Sequence, residues 1–341
     1  MSQFSKQKTE RKILPVQTKP KKAEERELEL RTPAELVEDW VKGIEGDLER
    51  PLTTCIPKFD KVLRNKLRGT LAAYIGKGGT KKSLLALQAC KTNVQSHFNN
   101  CTGVYSNMEM AIFQFLSRLI DMSFTVEDYI YNSSWYFEKE YSDFFKNKDK
   151  KGMEQIRVTL AKYFSDHYGN NLYINSQPGM RIEDFDKLVK KAKEKNGKCD
   201  MLVVDGLSMM HGLGTETETY TTNSKELKDL AKLHNIYIPL ICHVTKAATK
   251  HTRDLQEFIR GSEKILDNVD FQIMTSLCID EERSGETIEY LEDYGYLRLY
   301  DKRGSGKTVD VIYHFDCSTL EIKETDKEPS DYNRKKKEGG W

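Results

Sequence analysis

Residues 76–83 read GKGGTKKS, a run whose residue types suit holding a phosphate chain. A glycine-rich turn can wrap phosphate oxygens with backbone N–H groups, and a helix starting behind it adds a favourable dipole. In that reading Gly76, Gly78, Gly79 and Thr80 form the turn. Lys82 neutralises phosphate charge and the Ser83 hydroxyl ligates Mg²⁺. The spacing is that of G-x-x-x-x-G-K-[ST] with one departure. Lys81 stands where the second glycine belongs, so a side chain occupies a position that favours free backbone geometry. A second parse, K-G-G-x-x-K-[ST], fits the same letters with Lys77 as an extra lysine.

Three more residues have the chemistry to serve such a turn. Asp205 ends the apolar run in "MLVVDG"; at the carboxyl end of a central strand its carboxylate would face the phosphates and hold a Mg²⁺ shell through water. Equally it is a strand-ending turn residue. Glu109 in "YSNMEM" is placed to polarise an attacking water, a role worth about 10²–10⁴-fold, or else simply to start a helix. His243 in "PLICHVTK" is structural or, beside a γ-phosphate, a sensor of nucleotide state. Downstream, "VTKAATKHTRD" offers Lys246, Lys250 and Arg253 to a nucleic-acid backbone, or is a solvated turn.

These residues need strands and helices to position them. "TLAAYIG", "TGVYSNME", "NLYINSQ", "CDMLVVDG" and "IYIPLICHV" read as buried strands, with helical patterns between them, one ending at Gly197. That alternation predicts an α/β fold, a mainly parallel sheet flanked by helices on both faces. "FQIMTSLCID", "YGYLRLYDK" and "TVDVIYHFD" follow at shorter spacing, so an antiparallel edge is expected. Residues 132–170 have no clean period and read as a helical insertion. Residues 1–31 read as a disordered charged arm. Residues 32–50 read as an amphipathic helix with Leu36, Val37, Trp40, Val41 and Ile44 on one face. The catalytic domain is expected over 51–323 and a disordered tail over 324–341.

Composition closes several routes. The formal net charge of the 341 residues is +1, so an anionic partner must be held by local patches. The seven cysteines occur singly, without a C-x-x-C pair, which argues against a zinc site or a disulfide framework. No apolar run approaches the ~20 residues of a membrane span, and the first 30 residues lack a signal-peptide pattern. A cytoplasmic, reducing setting is expected.

Taken in order, the segments resemble the helicase domain of DnaB-like replicative helicases, of the RecA-like ATPase class. "YIGKGGTKKSLLALQ", "VYSNMEM", "CDMLVVDGLSMM", "PLICHVTK", "DLQEFIRGSEKILDNVDFQI" and "LRLYDKRGSGKT" carry the resemblance over roughly residues 50–320. The ParA/MinD group, which uses the second parse of the phosphate loop, lacks this succession. The resemblance implies a RecA-like P-loop core using ATP or another NTP with Mg²⁺. It implies Glu109 as catalytic base, His243 as sensor, Ser83 and Asp205 at the metal, and Arg303 as a finger reaching a neighbouring subunit. It further implies a homo-oligomer, expected as a hexameric ring with residues 32–50 packing on the next subunit. Single-stranded DNA as track, a primase or loader as partner, and a phage or mobile-element origin are expected too. Two further departures stand beside Lys81. The finger turn reads Asp301-Lys302-Arg303, displacing its companion lysine by one position. The stretch "HGLGTETETYTTN" after Asp205 has glutamates and no Lys or Arg, whereas a DNA-facing loop is usually basic. That acidity keeps open a RecA- or KaiC-like switch or loader that does not unwind, and Lys81 keeps open a non-hydrolysing structural partner.

Overall fold

The computed structural model describes residues 51–64, 66–95, 100–123, 150–212, 214–245, 247–259, 264–279 and 290–327. The expected arm, the helix over 32–50 and residues 132–149 lie outside them. Strands β1 (Leu71–Gly76), β2 (Gly103–Asn107), β3 (Leu172–Asn175), β4 (Met201–Asp205), β5 (Ile238–His243), β6 (Phe271–Ile279), β7 (Tyr290–Tyr300), β8 (Thr308–Asp316) and β9 (Glu321–Glu324) form one sheet, in the order β3-β2-β4-β5-β1-β6-β7-β8-β9. The first six pair in parallel and β6 through β9 pair antiparallel. The parallel sheet with an antiparallel edge is as the spacing of apolar runs predicts, except that β6, read with the antiparallel strands, joins β1 in parallel.

Apart from the half-buried edge strand β3, both faces of the parallel half are covered, which is why its strands read as continuous apolar runs. Side chains alternate between two cores: Ala72 and Tyr74 join Phe59, Leu85 and Phe115 on one face, while Leu71, Ala73 and Ile75 join Phe185, Leu227 and Ile265 on the other. The first face is covered by α1 (Pro57–Leu63), α2 (Lys82–Val94) and α3 (Ile112–Asp121), and the second by α5 (Ile182–Asn196), α6 (Glu216–His234) and the short α7 (Lys264–Asn268). Helix α4 (Lys150–Tyr168) lies within the expected insertion. Gly197 caps α5 with φ 71°, the left-handed conformation that favours glycine.

Two boundaries differ from the sequence reading. The acidic stretch after Asp205 is mostly helix. Thr215 caps α6, its Oγ1 accepting from Glu218 N at 3.3 Å while Glu218 accepts from Thr215 N at 2.9 Å. Glu216 and Glu218 therefore sit where a helix dipole welcomes negative charge, not in an acidic loop. Strand β9 runs to Glu324, and Thr325 N donates to Ile312 O at 2.9 Å, so the sheet reaches into the segment read as tail. Among the described residues no helix is long and apolar enough to cross a membrane.

Candidate active site

The expected phosphate loop joins the end of β1 to the start of α2, and its curvature has identifiable causes. Gly76 lies so close to Thr80 and Thr275 that a Cβ there would collide with both hydroxyls. Thr80 is buried, its hydroxyl donating to Lys77 O at 2.9 Å and lying 2.7 Å from Thr275 Oγ1 on β6. Gly79 has φ +84°, and nothing lies within 4 Å of a Cβ built on Gly78, which leaves that backbone open to a ligand. Lys81 takes a left-handed conformation of the kind glycine favours, with φ 68° and ψ 9°. A non-glycine residue there costs about 1–2 kcal/mol. Its ammonium lies 4.0 Å from the centroid of the Phe315 ring on β8, and a cation over an aromatic face returns about 0.5–2 kcal/mol. The loop thus keeps its shape without the glycine because the lysine side chain is held from behind.

Lys82 opens α2 with only 5% of its surface exposed. Burial pulls its pKa down, and the charges of Glu109 and Asp205 pull it back up. Among the described residues its ammonium has no hydrogen-bond or ion-pair partner. The side chain is buried but its ammonium opens into the cavity it shares with Glu109 and Asp205, where an arriving anion would be favoured.

The acidic residues stand on neighbouring strands. Asn107 pairs with Asp205 across β2 and β4, and Gly76 with His243 across β1 and β5, so the carboxyl ends of four adjacent strands converge. Asp205 is buried, and both its oxygens are engaged. Oδ1 accepts from Ser83 Oγ at 3.2 Å and Oδ2 from Tyr105 OH at 2.8 Å. Burial raises its pKa against the lowering influence of the Tyr105 hydrogen bond. Glu109 follows β2 on a turn pinned by Asn107, whose Oδ1 accepts from Met110 N and whose Nδ2 donates to Met110 O. Gly206 leaves the room that its side chain takes. Glu109 Oε1 lies 2.6 Å from His243 Nε2, and that hydrogen bond holds the carboxyl below its ordinary pKa, against desolvation.

Lys82, Ser83, Glu109, Asp205 and His243 line one cavity of about 340 Å³, joined by Arg118 from α3. Its chemistry fits a nucleotide with Mg²⁺. The ammonium awaits an anion, and a hydroxyl meets a carboxylate as hard oxygen donors. Among the described residues no group of three or more His, Cys, Asp or Glu could hold a metal alone, so the ion's remaining ligands would come from phosphate and water.

Other expected residues lie elsewhere. Arg303 is in the turn between β7 and β8, where its N donates to Asp270 O at 3.0 Å and its Nη2 to Asp267 O at 2.7 Å. Asp270 sits at the amino end of β1, its Oδ2 accepting from Leu71 N. Arg303 is therefore separated from its own phosphate loop by the length of a six-residue strand, about 20 Å. Lys302 caps α7, donating to Leu266 O and Asp267 Oδ1 at 3.0 Å each. Arg253 stacks on Tyr296 at 3.8 Å, Lys250 lies against Gly79, and Lys246 falls outside the described residues. Sequence reasoning missed Tyr105 and Arg118. The signal for Tyr105 was its place in the short strand that leads directly to Glu109.

A phosphate loop and these acidic residues on adjacent parallel strands define a nucleotide-binding P-loop domain of the RecA-like class. The family comparison agrees and goes further. The model of the DnaB-like helicase C terminal domain matches residues 52–276, and the chain belongs to that family. Two solved structures are similar to it. One, described as an ATPase domain, is 14% identical, with 87% of this chain and 100% of that one covered at a TM-score of 0.65. The other, described as that of a DnaB-like replicative helicase and its interactions with primase, is 15% identical, with 86% and 67% covered at a TM-score of 0.61. At such identities the likeness is one of fold. No curated protein matches the chain in sequence.

Proposed function

We propose that this chain is the motor of a ring-forming DNA helicase that hydrolyses ATP and moves along single-stranded DNA in replication. The observation that carries the ATPase is the buried, unpartnered Lys82 at the head of α2, facing Asp205 and Glu109 across one cavity. In this reading the backbone of the 76–83 loop and Lys82 hold the phosphates, and Ser83 and Asp205 hold Mg²⁺. Bound there, the ion would neutralise charge developing between the β- and γ-phosphates. Glu109, kept ionised by His243, orients and deprotonates the attacking water. His243 can exchange Glu109 for the γ-phosphate and so report what is bound. Arg303 lies too far away to serve its own site and is assigned to a neighbour's, which makes turnover depend on assembly. Of the loop after β5, Lys246 and Arg253 are assigned to DNA, and a primase or loader is proposed as a further partner. The acidity that favoured a switch which does not unwind belongs to the first turn of α6, so that reading loses its main support.

The test is steady-state ATP hydrolysis with and without single-stranded DNA, with Lys82→Ala as the blank. Turnover stimulated by DNA and abolished in the variant is expected. Nucleotide binding without turnover above the blank would withdraw the motor and leave a switch or scaffold.

A further inference from the structure

The loop that follows β5 was expected to face nucleic acid, yet part of it lies on the phosphate loop. Lys77, within the phosphate loop, donates its ammonium to Ala248 O, and Ala248 is fully buried. Two residues on, Lys250 is anchored through its backbone, its carbonyl accepting from Leu277 N of β6 at 2.7 Å. Its side chain runs back over the phosphate loop. Nζ lies 3.7 Å, and Cε 3.8 Å, from where a Cβ on Gly79 would stand, and the ring of Tyr290 lies 5.7 Å from that ammonium. Among the described residues no carboxylate is within ion-pair distance of it. Backbone anchorage fixes where this charge is carried, and it is carried to the turn whose open backbone is suited to phosphate.

We propose that Lys250 is a second phosphate-binding cation of the nucleotide site, lent by the loop after β5, and not a contact to the DNA backbone. This rests on the nucleotide-binding reading above. Lys82 stands at the head of α2 and Lys250 beside Gly79 of the turn, so a bound triphosphate would meet two ammonium groups. The Lys77–Ala248 tether would let the same loop feel the phosphate loop's position.

The test titrates a fluorescent, non-hydrolysable ATP analogue with Mg²⁺ into wild type, Lys250→Gln, Lys250→Arg and Lys82→Ala, without DNA. In parallel, binding of a labelled single strand is measured without nucleotide. Losing one charge-assisted phosphate contact is expected to weaken nucleotide binding about tenfold in Lys250→Gln, with recovery in Lys250→Arg. The nucleotide-free DNA affinity should be unchanged. Unaltered nucleotide affinity in Lys250→Gln, whether or not DNA binding falls, would overturn the assignment while leaving the site itself intact. Failure of the wild-type chain to bind the analogue above the level of Lys82→Ala would overturn both.

Discussion

Tyr105 shows how much a single hydroxyl can do in this site. The ring is fully buried and packs 4.8 Å from that of Phe115 on α3, while its hydroxyl touches Asp205 Oδ2. With Ser83 on Oδ1, the carboxylate is held from both oxygens, and the oxygen beside Ser83 is the one that would serve the proposed metal shell. Tyr105→Phe keeps the volume and removes the donor. A hydrogen bond to a charged group is worth about 1.5–3 kcal/mol, so the variant should unfold at lower denaturant concentration. It should also need several-fold more divalent ion to bind nucleotide, since an unrestrained carboxylate positions water less well. A Mn²⁺ titration followed by electron paramagnetic resonance separates the two effects. An unchanged metal affinity would make Tyr105 a packing residue only.

At the level of elements, the loop between β1 and α2 is defined as much by its neighbours as by its own letters. Lys81 adopts a left-handed conformation and rests on Phe315 of β8. Lys81→Gly removes the backbone cost and the ring contact together, and should leave stability within about 1 kcal/mol of wild type. Lys81→Ala keeps the backbone cost and loses the contact, so it should be the less stable of the two by roughly 1 kcal/mol. Urea unfolding of the pair checks this, and equal midpoints would mean that the loop does not hold this conformation in solution. The same loop shows what the sequence could and could not disclose. Five parallel strands and their helices were legible because buried strands are uninterrupted apolar runs, and the phosphate loop because its spacing is short and local. The role of Phe315 was not, because it comes from a strand far along the chain, beyond every parallel strand. The start of α6 was misread for a different reason. Glu216 and Glu218 suggest an acidic loop by composition, whereas Thr215 with Glu218 three residues later is a capping box, a local pattern that outweighs composition.

In the whole molecule, the phosphate loop is at the carboxyl ends of the parallel strands and Arg303 is at the amino end of β1, bound to Asp267 and Asp270. On the proposed reading, one chain carries both halves of a site, phosphate loop and finger, about 20 Å apart. If neighbours in a ring complete each other, two defects of different kind must complement. Lys82→Ala spoils the site and spares the finger; Arg303→Ala does the reverse. Each alone should show almost no DNA-stimulated ATP hydrolysis, an arginine finger being worth about 10³–10⁵ in rate. In an equal mixture assembled at random, about one interface in four joins an intact site to an intact finger, so about a quarter of the wild-type rate should return. Recovery should also grow with total protein concentration, because it needs assembly. A silent mixture would place the finger function in cis or on another residue, and the roughly 20 Å of strand between Arg303 and its own Lys82 would then have to be closed by a rearrangement that breaks the contacts to Asp267 and Asp270.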